Sequence, residues 1–367
     1  MFTVKDREFG KSITKLIQKE NLTRNETRKA FSIILNNETT QMQQGAFLSA
    51  LTAKGETKEE IAGSFDAIYE LDTIKVTLKN STPLVENSGT GMDSFKTFNI
   101  STAASLIVAS CGIKMARHGA RAITSACGTV DIAEALGVDV ECSADIVAQS
   151  IEKAGIGLFN GMSPQIHPTA LGRILSQISF GSTLNIAASL ANPALPKIGV
   201  RGVYSKEMIF PVVKVMKEIG YERAIVIYGD IDNSDKGMDE ASVCGTTWCA
   251  ELAKTGEINQ FSFHSSDFAM GKYNVAQLLP SKSMKQETQR FISLLKGEEN
   301  NARSEAAILN AGLIFHITGK TNSIGEGVEM ATETLKSGTP FSQLQNWVAA
   351  QNNSPEIGLK KLERVCL

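Results

Sequence analysis

From Leu84 onward the chain alternates short apolar runs with amphipathic segments, each pair broken by glycine, and this alternation restricts the fold more than any other feature. IVASCGIKMARHG, DIAEALGVDV and SADIVAQSIEKAGIGLFNG show it first, and SKEMIFPVVKVMKEIG running into ERAIVIYGD shows it again. Strands joined through helices run parallel, because only a long crossover returns the chain to the same edge. The expectation is an α/β domain with a central, mostly parallel sheet flanked by helices. ARSEAAILNAGLIFHITGK and SIGEGVEMATETLKSG in the tail add two helices that cover the sheet.

The first seventy residues follow a different rule. KSITKLIQKE, ETRKAFSIIL, MQQGAFLSAL and EEIAGSFDAIYEL place apolar residues three and four apart, the spacing of one helical face. Thr23-x-x-Glu26, Thr40-x-x-Gln43 and Thr57-x-x-Glu60 each have the form of a capping box, in which two orphan amides at a helix start are satisfied reciprocally. A small helical bundle is expected. The long apolar segment HPTALGRILSQISFGSTLNIAASLANPALP is strand-poor and reads as helices that return to this bundle. The domain division is therefore a discontinuous helical domain of residues 1–82 with 166–192, and an α/β domain of 83–165 with 193–367.

A chain of 367 residues is long enough for two domains. Its 37 basic and 39 acidic residues leave a net charge of −2, so no overall field draws it to nucleic acid or an anionic membrane. Any anion it binds is held by local geometry. No stretch has the apolar length of a membrane span and the N-terminus has no signal-peptide core, which predicts a cytoplasmic protein. Cys111, Cys127, Cys142, Cys244, Cys249 and Cys366 are scattered without Cys-x-x-Cys spacing, which points to neither a zinc site nor a disulfide framework.

Three loops carry chemistry. In SGTGMDSFKTFNIST, residues 88–102, Gly89 and Gly91 let backbone amides approach a ligand, and Ser101 and Thr102 stand where an apolar helix begins. Amides, hydroxyls and a helix dipole suit phosphate or pyrophosphate, although the spacing is neither a P-loop nor a dinucleotide fingerprint. A tight turn before a capped helix is the plainer reading of the same glycines. The second loop runs from Arg117-His118-Gly119-Ala120-Arg121 to Ser125-Ala126-Cys127-Gly128-Thr129-Val130-Asp131, and its arginines and helix start also suit a multiply charged anion. The third, GDIDNSDKGMDEAS, begins where a strand ends, the edge at which open α/β sheets bind ligands, and carries the adjacent carboxylates Asp239 and Glu240. Mg²⁺ is characteristically held by one or two carboxylates together with substrate phosphates.

Together these residues resemble the anthranilate phosphoribosyltransferase family, relatives of the pyrimidine nucleoside phosphorylases. Gly89-Thr90-Gly91-Met92-Asp93 is similar to the family's Gly-Thr-Gly-Gly-Asp, and Asn99-Ile100-Ser101-Thr102 matches its Asn-x-Ser-Thr. Arg117 to Arg121 resembles Lys-His-Gly-Asn-Arg, and Cys127-Gly128-Thr129-Val130-Asp131 resembles Ser-Gly-Ser-x-Asp. The resemblance implies a homodimer, through the helical domain, of subunits that bind phosphoribosyl pyrophosphate (PRPP) and Mg²⁺. An aromatic amine would enter between the domains and displace pyrophosphate, anthranilate by family default, as in tryptophan biosynthesis. It assigns PRPP to Gly89, Thr90, Gly91, Asp93, Asn99, Ser101, Thr102, Arg117, Gly128 and Thr129. The metal falls to Ser101, Asp239 and Glu240, and no side chain takes a covalent role.

The departures fall in two places. Met92 stands for a glycine, Arg117 for a lysine, and Cys127 and Thr129 for serines. On the acceptor side His118, Ala120, His167 and Arg173 are the candidates, but Ala120 replaces the family's asparagine, and the family's carboxylate-pairing arginine falls at Leu175 or Ser176. Arg173 lies one helical turn earlier and is the substitute. The resemblance therefore leaves the acceptor open between anthranilate and another aromatic or heterocyclic amine. The same residues also allow two other functions: a nucleoside phosphorylase, and a non-catalytic paralogue that binds nucleic acid.

Overall fold

The computed structural model describes residues 4–79, 82–121, 127–178 and 180–366. Ser125 and Ala126 of the second glycine loop lie outside the described residues. The chain divides into two compact units, one of residues 1–75 and 161–195, the other of residues 76–160 and 196–367.

The first unit is helical. Val4–Ile17, Arg24–Leu35, Gln41–Lys54 and Lys58–Leu71 are followed, after the chain returns, by Leu171–Leu175 and Thr183–Leu190. Phe9, Phe31 and Phe47 meet at the centre of this bundle, with ring centroids 5.3 and 5.8 Å apart. Two of the three expected capping boxes close completely, at Thr23 with Glu26 and at Thr57 with Glu60. The third closes by half. Thr40 accepts from the Gln43 amide, but the Gln43 carboxamide oxygen is taken by the Thr39 hydroxyl instead of reaching back to the cap. Glu60 does more than cap, since its buried carboxylate also accepts from the Leu22 amide at 2.9 Å and from Lys54 Nζ at 2.9 Å.

The second unit is built on one eight-stranded sheet. Its strands are β1 (Leu84–Ser88), β2 (Lys114–Gly119), β3 (Ile156–Asn160), β4 (Ile198–Gly202), β5 (Arg223–Asp230), β6 (Gly237–Met238), β7 (Thr246–Leu252) and β8 (Ile258–His264). The order is β3-β2-β1-β4-β5-β7-β8, with β6 paired to β5. The first five strands run parallel; β6 and β7 pair antiparallel with β5, and β8 pairs antiparallel with β7. The antiparallel edge escapes the alternation rule because TTWCAEL and INQFSFH mix polar and apolar residues on a half-solvated surface.

Helices Ile100–Ser110 and Ala302–Ile317 are almost wholly buried and pack against each other, as their near-continuous apolar sequence requires. Inside the sheet, Arg201 of β4 forms a fully buried ion pair with Glu86 of β1, so each charge is matched where water cannot reach.

Candidate active site

The parallel strands β1, β2 and β5 release the three sequence-predicted loops at their carboxyl ends, so the topology gathers them at one edge of the sheet. The first loop folds directly onto the third. Gly91 N–H donates to Asp239 Oδ2 at 2.7 Å and the Thr90 hydroxyl donates to the same oxygen at 3.3 Å. A β-carbon placed on Gly89 would lie 2.3 Å from that carboxyl group, and Gly91 has φ +68°, so both glycines are demanded by geometry. Met92, which stands where the family has glycine, lies in the same turn, and its amide reaches the Thr90 hydroxyl at 3.5 Å.

At the start of helix Ile100–Ser110, Ser101 donates its amide (3.1 Å) and its hydroxyl (2.6 Å) to Glu240 Oε1. Asp239 and Glu240 are both buried. Burial, and then the Asp239 charge beside it, push the Glu240 carboxyl up to about 8 against the pull of the Ser101 bonds. Burial and Asp239 likewise raise Asp93 to about 7, although Lys96 opposes this. The site thus brings acidic groups close enough together that their ionisation is disfavoured.

Among the described residues no group of three or more His, Cys, Asp or Glu side chains gathers at one point. The donor set is two carboxylates and the Ser101 hydroxyl, the hard oxygen ligands Mg²⁺ accepts when a substrate completes its shell.

The remaining predicted residues take several places. Asn99 caps the helix end without a side-chain cap bond and turns its amide to the Cys127 carbonyl and thiol, each at 3.4 Å, which joins the first and second loops. Gly128 begins helix Thr129–Ala135 and donates its amide to Asp131 at 2.9 Å, and Thr129 packs against Gly119. Burial holds the Cys127 thiol up near 11, so it is no nucleophile at neutral pH.

Thr102 is fully buried, and its hydroxyl accepts from Arg117 Nη1 at 2.7 Å, which ties the start of the helix to β2. Arg117 is 1% exposed, and its Nε has no hydrogen-bond partner. Burial lowers its pKa to about 10, which still leaves it cationic and facing Glu240 electrostatically. Lys96, not singled out by the sequence, is a half-buried cation of the first loop, with Nζ 2.8 Å from both Gly91 O and Asp93 Oδ1. A lysine three residues after a loop aspartate was the available signal.

On the acceptor side, His118 is buried in β2, and Ala120 follows it with its carbonyl 3.4 Å from the Val130 amide. Arg121 spends its guanidinium on Asp131, Glu134 and Glu141. Within the helical unit, Arg173 donates to Gln44 Oε1 at 3.0 Å and to the Ile34 carbonyl at 2.9 Å, so it braces the carboxyl end of helix Arg24–Leu35, where the dipole favours a cation.

His167 is buried, donates from Nδ1 to the Asp72 carbonyl, and is held below its ordinary value of 6.5 mainly by that burial. Stability from a neutral buried imidazole is complete above the unfolded pKa and is lost as pH falls through the lower folded one. The melting temperature of the native protein is expected to fall more steeply between pH 7 and pH 5 than that of His167→Gln, by differential scanning calorimetry at both pH values; parallel curves would remove this role.

The first glycine loop and a pair of buried carboxylates thus meet at the carboxyl edge of a largely parallel sheet. The family model for the glycosyl transferase a/b domain matches residues 81–341, and that for its helical bundle domain matches residues 11–71. The chain belongs to the anthranilate phosphoribosyltransferase family. It is 33% identical to the anthranilate phosphoribosyltransferase of Persephonella marina over 91% of this chain and 96% of that protein. With the enzyme of Methanothermobacter thermautotrophicus it shares 31% over 94% and 99%. The crystal structure of anthranilate phosphoribosyltransferase from Thermus thermophilus matches with a TM-score of 0.82 at 29% identity, covering 93% of this chain and 99% of that one. The chain is accordingly a pentosyl-transferring glycosyltransferase. Among the described residues no helix is long and apolar enough to cross a membrane.

Proposed function

We propose that this protein transfers the 5-phosphoribosyl group of PRPP to an aromatic amine in a Mg²⁺-dependent reaction, releasing pyrophosphate, with anthranilate the acceptor by family membership. The observation that carries the reading is the convergence of residues 89–93, the start of helix Ile100–Ser110 and the Asp239–Glu240 pair within hydrogen-bond distance of one another. Loop amides at Gly89 and Gly91, with Thr90 and Asp93, lie around the pyrophosphate; Ser101, Asn99, Gly128 and Thr129 take the ribose phosphate side. Asp239, Glu240 and Ser101 would hold Mg²⁺, which would supply charge neutralisation for the departing pyrophosphate. Thr102 and Arg117 act from beneath, the buried guanidinium supporting the helix start that faces the anion.

The enzyme needs no covalent group for such a displacement. Positioning the amine behind the anomeric carbon removes much of the entropic barrier, and preorganised donors stabilise the leaving group. Arg173 is engaged within the helical unit and Arg121 is matched by three carboxylates. Acceptor recognition is accordingly assigned to His118 and the neighbourhood of Ala120. A homodimer through the helical unit belongs to the same reading, supported by the exposed apolar side chains of Ile17, Met42 and Ile74 on that unit.

Incubation with PRPP and Mg²⁺ against a panel of aromatic amines tests the proposal. Amine-dependent pyrophosphate release is expected, and Ala120→Asn should raise the rate with anthranilate. Absence of release with every amine, together with phosphate-dependent cleavage of a nucleoside, would replace the reading by a phosphorylase.

A further inference from the structure

The donors of the anion cradle and the two acidic side chains are not independent of one another. Gly91 N–H and the Thr90 hydroxyl both go to Asp239 Oδ2, while the Ser101 amide and hydroxyl both go to Glu240 Oε1. All four belong to the loop and helix start assigned above to the anion. A carboxyl oxygen accepts from the same groups, so Asp239 and Glu240 occupy the donors that an anion would use. The contact is close: the Asp239 carboxyl group presses so tightly on the loop that a β-carbon at Gly89 would lie 2.3 Å away.

We infer that Asp239 and Glu240 set the specificity of the anion site, releasing residues 89–93 and Ser101 only when a divalent cation claims their oxygens. The site then takes a diphosphate ester with its metal and refuses free phosphate and metal-free pyrophosphate. This rests on the phosphoribosyl reading above and deepens it, because it names what the site rejects. A metal ligand that serves only the metal leaves metal-free anion binding unchanged when it is removed. Here the same removal frees four donors, so metal-free binding improves while metal-dependent binding is lost.

Titration calorimetry of the full chain with inorganic pyrophosphate, and separately with inorganic phosphate, tests this in EDTA and in Mg²⁺. The native protein is expected to bind pyrophosphate in Mg²⁺ and at least about tenfold more weakly in EDTA, two regained charge-assisted hydrogen bonds being ample for such a factor. The Asp239→Ala/Glu240→Ala variant is expected to bind metal-free pyrophosphate at least about tenfold more tightly than the native protein, with no further gain from Mg²⁺. Asp93→Asn is the control for charge alone: it removes a neighbouring carboxylate, paired with Lys96, that accepts none of the four cradle donors. Its gain should be much smaller. Equal gains from the control and the double variant, or equal pyrophosphate affinity of the native protein with and without Mg²⁺, would overturn the inference and leave the phosphoribosyl reading standing. No binding of pyrophosphate by the native protein in Mg²⁺ would overturn both. Should the double variant not fold, Glu240→Ala alone carries the test, since it frees both Ser101 donors.

Discussion

Pyrophosphate release from PRPP is expected to fall by at least about a thousandfold in the Asp239→Ala/Glu240→Ala variant, equivalent to about 4 kcal/mol of lost transition-state stabilisation. The two carboxylates are the only buried acidic pair that both touches the glycine loop and the start of helix Ile100–Ser110 and lies at the strand ends among the described residues. Without them the charge developing on pyrophosphate would have loop amides and a buried arginine but no metal. The fold should survive. Glu240 is held up near 8 by burial and by its acidic neighbour, so at neutral pH its carboxyl group is a cost to the native state that alanine removes. Unchanged far-ultraviolet circular dichroism with a melting temperature no lower than native would show this, and near-native turnover would end the metal assignment.

Gly202→Ala is expected to be the most damaging single methyl in the α/β unit. Gly202 ends β4, and a β-carbon there would lie 1.6 Å from the Asp239 carbonyl oxygen and 2.4 Å from its carbon. Both neighbours are backbone, so no flexible side chain can yield. Either the sheet or the segment that carries Asp239 and Glu240 must move. An overpacked core position of this kind costs about 1–3 kcal/mol. A carboxylate displaced by about 1 Å adds a further loss near a hundredfold in kcat/KM. Gly91→Ala offers a contrast: no heavy atom lies within 4 Å, and its penalty comes only from the left-handed φ of +68°. Urea unfolding and steady-state kinetics on both variants separate the effects. Native-like stability and kcat/KM in Gly202→Ala would show that the acidic segment is not seated on β4.

These two sites differ in how far they could be read from the sequence. Asp239 and Glu240 are adjacent acids in a polar loop after an apolar run, and both the pattern and the family resemblance single them out. Gly202 is one glycine in an ordinary-looking strand, IGVRG, and nothing local says that residue 239 will press against it. Thr90 and Gly91 are visible as a phosphate turn, but their bonds to Asp239 span 149 and 148 residues of sequence. Thr40 illustrates the same limit on a short scale, because Gln43 has the right identity for a capping box and is diverted by its neighbour Thr39. The antiparallel edge of β7 and β8 went unread because half-solvated strands lack the continuous apolar run that marks a buried parallel strand.

What the sequence by itself determined is what depends on residues near one another along the chain. The period of the apolar positions specifies helices and buried strands, the Thr-x-x-Glu starts specify where helices begin, and glycines flanking polar residues mark the loops that approach a ligand. What the tertiary structure alone decided is which of those groups are available. Arg173 is bound to Gln44 and Ile34, Arg117 to Thr102, and the cradle donors to Asp239 and Glu240. The physical reason is that a side chain's hydrogen-bonding capacity is finite and directional. Whether it serves a ligand or the protein depends on what the fold brings within about 3 Å of it, across separations that no local pattern records.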